Sequence, residues 1–144
     1  MKNYQALFFF FVVFFGSCES ESCKIDFLKN EQYYIEALEK IHSLHLEMNS
    51  NQFYYRPILS ISQRDEILNA KLSTEIQFIE CHADSTIIFQ APNCNNEYAL
   101  RDVVYFLAYA PKGIEQIKHK RNLGGIEEVS KNWYLCKHIY SLAN

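Results

Sequence analysis

Behind the short basic start Met1-Lys2-Asn3, residues 6–15 form an unbroken apolar run crowded with phenylalanine. About ten residues is the length of a signal-peptide core, well short of the ~20 that a helix needs to cross a bilayer. After a polar stretch the pattern turns helical over residues 25–48. Phe27, Leu28, Tyr34, Ile35, Leu38, Ile41, Leu44, Leu46 and Met48 recur at helical spacing among Glu31, Glu36, Glu39, Lys40 and Glu47. Asn49-Ser50-Asn51 marks the stop, and Pro57 enforces a connection. A second helix is predicted over residues 62–73. Ser62 caps it, and Asp65 and Glu66 lie near its positive end.

The rest of the chain changes period. Residues 75–81 fit a continuing helix or a strand, because both periods are partly satisfied. Asp84-Ser85 reads as a turn before the β-branched and aromatic run 86–89, which Pro92 ends. Residues 103–109 are wholly apolar or aromatic; length and β-branching favour a buried strand over the last turns of a helix. A short helix is predicted over 113–121, broken by Gly124-Gly125. Residues 126–129 and 133–140 then read as a β-hairpin around Ser130-Lys131-Asn132. Helices first and strands after predict an α+β fold: two N-terminal helices packed on one face of a small antiparallel sheet, with a C-terminal β-hairpin.

Composition bounds this picture. The chain has 144 residues, 49% hydrophobic and 22% charged, with few prolines and glycines, which suits one globular core rather than a disordered chain. Lys+Arg number 14 against 17 Asp+Glu. An acidic balance without a basic block has little to neutralise phosphates, so nucleic acid is not an expected partner.

The apolar run is followed at once by Phe15-Gly16-Ser17-Cys18 and then the polar Glu19-Ser20-Glu21-Ser22. An apolar residue, two small residues and a cysteine resemble the lipobox of bacterial lipoprotein precursors. The resemblance covers residues 1–22 and implies cleavage before Cys18, which becomes the acylated first residue carrying lipid such as palmitate. It divides the chain into a signal peptide (1–17), a lipidated tether (18–23) and one globular α+β domain (24–144). The alternative is ordinary secretory cleavage nearby, for which the usual A-x-A pattern is missing. Removing residues 1–17 takes Lys2 and no acid, leaving 13 Lys+Arg against 17 Asp+Glu. The resemblance places the domain in the bacterial cell envelope, lipid-anchored to a membrane and facing the periplasm or the exterior.

With Cys18 given to lipid, Cys23, Cys81, Cys94 and Cys136 remain, and an oxidising compartment allows two disulfides in three connectivities. Cys81 with Cys94 is the favoured pair, because about a dozen residues containing a turn separate them. The rival reading is a set of buried thiols.

Candidate chemistry is sparse. His42 and His45 lie three apart on the predicted first helix, a spacing that can put two imidazoles on one face, but the His-Glu-x-x-His pattern is absent. Cys81-His82-Ala83-Asp84 brings thiol, imidazole and carboxylate together in sequence, yet strand neighbours point to opposite faces. Cys136-Lys137-His138 lacks a CxxC partner for Cys94, and Gly124-Gly125 is too short to cradle a phosphate. Neither an enzyme nor a metal or other cofactor is expected.

Aromatic residues point elsewhere. Tyr33-Tyr34 and Phe53-Tyr54-Tyr55-Arg56 cluster where the chain is otherwise polar, and tyrosine and arginine are enriched at binding hot spots. The alternative is that the rings pack in the core. Phe53 to Arg56, between helices and before a proline, is the best candidate for an exposed partner-binding patch. The sequence therefore leads to a membrane-anchored lipoprotein that binds another protein. The partner is a secreted antibacterial toxin, which the protein neutralises as an immunity protein, or an envelope protein. The rivals are an envelope structural or assembly lipoprotein and a small-ligand-binding module.

Overall fold

In the computed structural model, residues 23–46, 52–53, 56–94 and 101–141 are described. The lipobox, Cys18 and the Asn49-Ser50-Asn51 stop lie outside these residues.

The first helix, α1 (Phe27–Ser43), starts where Asp26 accepts a hydrogen bond from Lys29 N at 3.2 Å. It stops five residues before the predicted end. Leu44 N still bonds Lys40 O, but His45 turns left-handed (φ 50°) and breaks the ladder. A two-strand ribbon, β1 (Gln52–Phe53) and β2 (Arg56–Pro57), follows. The predicted second helix is two helices. Ser60, not Ser62, caps α2 (Ile61–Ile67) in a reciprocal capping box with Gln63. Asn69 caps α3 (Ala70–Glu75) by accepting from Leu72 N at 2.9 Å. The break comes at Leu68, whose backbone is extended, and the new cap two residues later restarts the helix.

The sheet settles the ambiguous segments. Residues 75–81 divide into the end of α3 and strand β3 (Phe78–Cys81), and Ile87–Gln90 is β4. β5 (Arg101–Tyr109) is the favoured strand rather than a helix. The short α4 (Glu115–Lys118) precedes the hairpin of β6 (Gly125–Ser130) and β7 (Trp133–Ser141). Asn132 takes the left-handed conformation (φ 67°) that closes this turn. The five strands run antiparallel in the order β3-β4-β5-β7-β6, and the protein is α+β.

Register decides which side chains meet. Ile79, Phe89, Leu107 and Leu135 form one row across the sheet; Cys81, Ile87, Tyr109 and Trp133 form the next. These rows pack against Phe27, Tyr34, Leu38 and Ile41 of α1, Ile67 of α2 and Leu72 of α3. Three helices, rather than the expected two, therefore contribute to the core on this face. The opposite face carries Ile88, Ala108, Tyr134, Phe106 and Cys136, covered by Ile117 and its neighbours from the α4 segment. No helix among the described residues is long and apolar enough to cross a membrane.

Candidate functional site

Two places in the fold bring polar groups and space together; the first contains none of the candidate site residues, and the second takes in His82 and Asp84 of the Cys81–Asp84 run without Cys81. The first is a groove of about 640 Å³ between the start of α1 and the outer part of the sheet. Asp26, Leu28, Asn30 and Lys71 line its helix side; Glu127, Val129 and Leu135 line its strand side. Helical spacing puts Phe27 inward, stacked on Trp133 at 5.3 Å, and turns Leu28 outward, 74% exposed. Asn30 Nδ2 donates to Glu75 Oε2 at 3.1 Å, which ties α1 to α3, and Lys71 pairs with Glu75 at 2.7 Å within α3. Ser130 Oγ donates to Glu31 Oε1 at 3.3 Å and ties α1 to β6. The groove has firm walls, an apolar lip and one flank made by an edge strand.

The second place lies beneath α4. Glu80 sits mid-strand and only 1% exposed, with Arg121 Nη2 donating to its Oε1. His82 Nε2 lies 3.1 Å from Glu80 Oε2, and the Arg121 guanidinium stands 5.8 Å over the Phe106 ring. Beside it Lys120 Nζ donates to Asp84 Oδ2, and Gln116 Nε2 donates to Asp84 O at 2.9 Å. Burial alone would push the Asp84 carboxyl upward. The hydrogen bonds from Lys120 and Thr86, with the Lys120 charge, outweigh burial and hold it down to about 2. Glu80 and Asp84 are each turned toward a cation that follows α4, Arg121 and Lys120. A buried carboxylate joined to an arginine and an imidazole makes a clasp between sheet and segment, with the carboxylate's oxygens engaged by Arg121 and His82.

The residues chosen from sequence fall as follows. Phe53 and Arg56 lie on the β1–β2 ribbon, while Tyr54, Tyr55 and the side chains of Phe53 and Arg56 lie outside the described residues. Tyr33 is exposed. Tyr34 is fully buried among Phe27, Phe89 and Trp133, and its hydroxyl has no hydrogen-bond partner among the described residues. Burial first, then the charges of Glu75 and Asp26, push that hydroxyl's pKa far above its usual value.

The favoured pairing of Cys81 with Cys94 is corrected by the register. Through Ile87, Cys81 stands level with Tyr109; Cys94 stands opposite Val103, six residues back along β5. That separation is roughly 20 Å at the rise of a strand, against a limit of about 7 Å between bridged Cα atoms. Cys81 also points into the helix-covered core while His82 reaches Glu80 on the other side, so no Cys-His-Asp set assembles. His45 lies past the end of α1, and the His42 ring packs 6.3 Å from Tyr109 instead. Strand β5 lies between Cys94 and the Cys136/His138 pair. Burial pushes the Cys136 thiol up to about 12. Among the described residues, no three His, Cys, Asp or Glu side chains gather as metal ligands do.

Sequence reasoning missed the groove, and of the second place it reached His82 and Asp84 but not Glu80, Lys120 or Arg121. Glu80 carried a readable sign, a lone carboxylate inside an apolar strand, which requires a buried partner. The groove had none, since its walls come from segments about 100 residues apart. Leu28 looked like one more member of the helical stripe. Comparisons with family models, with curated proteins and with solved structures give no match to this chain.

Proposed function

We propose that the chain is the precursor of an envelope lipoprotein, acylated at Cys18, whose domain binds another protein. In the leading form of this reading the partner is a secreted antibacterial toxin and the protein is its immunity protein. The observation that carries the reading is the groove. It combines an exposed apolar lip at Leu28, polar walls and a side of β6 that no strand pairs among the described residues, a combination suited to a protein surface. A tether ending at Cys23 keeps this end of the domain close to the bilayer, because the groove begins at Lys24.

Two experiments test it. The acylated chain starts at Cys18 and gains lipid mass, and Cys18→Ser abolishes both; unchanged mass and membrane retention in that variant would sink the anchoring claim. Capture by the full-length, detergent-extracted protein is expected to recover one secreted effector whose toxicity falls on co-expression. Recovery of resident envelope proteins alone would favour the scaffold reading instead.

A further inference from the structure

Residues 111–123, with α4 at their centre, cross the second face of the sheet without joining it by backbone–backbone bonds among the described residues. The N–H groups of Gly113 and of residues 116–121 bond to carbonyls of residues 110–117, so these bonds close on the segment itself. Lys112 N bonds Gln116 Oε1 at 2.8 Å, again within it. Backbone bonds to the β6–β7 hairpin lie just beyond each end. Ala110 N reaches Asn132 O at 2.9 Å, and Gly124 N reaches Lys137 O at 2.8 Å. The segment between these anchors can leave the sheet without breaking any strand pairing.

Side-chain contacts hold it down. Of residues 111–123 only Ile117 is buried, and Ile114 and Leu123 pack beside it. Arg121 donates to Glu80 and Lys120 to Asp84, while Gln116 donates to Asp84 O at 2.9 Å and the His138 ring meets the Asn122 backbone. Beneath lie Ile88, Phe106, Ala108 and Cys136, each at most 1% exposed. The other face is closed by three helices that bury many side chains against it. A segment with few buried apolar groups opens at lower cost than such a core. Gly113, left-handed at φ 93° with open space where a Cβ would stand, and Gly124-Gly125 offer backbone freedom near the two ends.

We propose that residues 111–123 are a latched strap, which lifts off the second face as a unit while the helix-covered face stays closed. The Glu80–Arg121 and Asp84–Lys120 pairs are the latch. This device stands apart from the groove and does not depend on the protein-binding reading. Lifting uncovers the patch around Phe106 and opens the Cys136 thiol to solvent. In the closed protein burial keeps that thiol protonated and out of reach, so its reaction reports the open state.

The test is alkylation of the native full-length protein by iodoacetamide, in mild detergent with its thiols reduced, each cysteine followed by peptide mass mapping. Cys81, fully buried on the helix-covered face, is the internal reference. Cys136 is expected to react at least about tenfold faster than Cys81. Arg121→Gln is expected to raise the Cys136 rate at least about tenfold, and the milder Lys120→Gln about threefold. Ile67→Val, under the helices, is expected to raise the Cys81 rate about threefold and leave that of Cys136 unchanged. Equal rates at the two thiols of the unaltered protein, including no reaction at either, would mean that the second face opens only by global unfolding and would overturn the inference. A Cys136 rate that Lys120→Gln leaves unchanged would overturn it as well, even if Arg121→Gln fails to fold. So would a parallel rise of both thiols in Ile67→Val.

Discussion

On one face of the sheet, Phe27, Tyr34, Phe89, Tyr109 and Trp133 stack with ring centroids mostly 5–6 Å apart, and three helices close over them. On the other face a four-residue helix covers a smaller apolar patch, and two ion pairs, Glu80–Arg121 and Asp84–Lys120, fasten its segment down. Both faces are buried, but the first is held by area and the second by area plus fixed charges. Apolar burial is non-directional and tolerates small shifts of a helix. A clasp holds one geometry and fails when a partner is lost. The α4 segment is too short to be a stable helix by itself, so its place depends on these contacts.

Four changes would break or sharpen this contrast. Trp133→Ala strikes the aromatic face at its centre and is expected to cost about 3–5 kcal/mol in chemical denaturation. Arg121→Ala is expected to cost about 3 kcal/mol, because it strands the Glu80 carboxylate in the interior. The distinguishing measurement is the double variant Glu80→Leu with Arg121→Met, which should recover most of that loss. No recovery would mean the cluster contributes through packing rather than charge. Tyr34→Phe should stabilise the protein by about 1 kcal/mol, since it deletes a buried hydroxyl without a described partner. Destabilisation would show that the hydroxyl is satisfied.

Acid should produce the smallest effect, and on the second face. Burial, with the Arg121 charge beside it, holds the His138 pKa below its ordinary 6.5, although the Asn122 backbone opposes the shift. The unfolded chain then binds the proton more readily. This contribution is full above about pH 6.5 and declines as pH falls toward the lowered value. Asp84 is likewise depressed from 3.8, so its contribution is full above about pH 4 and is lost as pH falls through about 2. A shallow loss of melting temperature between pH 7 and 5 that His138→Gln removes is the expected result. A slope unchanged in that variant would place the titration elsewhere.

Much of the fold was legible because local pattern and packing agree. Phe27, Tyr34, Leu38 and Ile41 of the predicted stripe face inward, while Leu28 and Leu44 are exposed and Asn30 and Ala37 join the buried side; the hairpin around Asn132 follows from turn chemistry and flanking strands. The second helix was misread because Leu68 and Asn69 interrupt it without a proline or glycine; two cap side chains only show their effect once placed. Candidate site residues fared differently. His45 lost its helical partner to a left-handed turn, and the Cys81–Cys94 distance follows from strand register, which no local window contains.

The sequence by itself determined the order of helix and strand, the apolar faces that must be covered, the acidic balance and the lipobox resemblance at Cys18, because these are properties of neighbouring residues. Only the tertiary structure decided that Glu80 meets Arg121 across 41 positions, that Leu28 faces Glu127 and Val129 over a groove, and that β6 is left at an edge. Those outcomes depend on which strands pair and in what register, and pairing is selected by the burial of the whole sheet rather than by any segment of it.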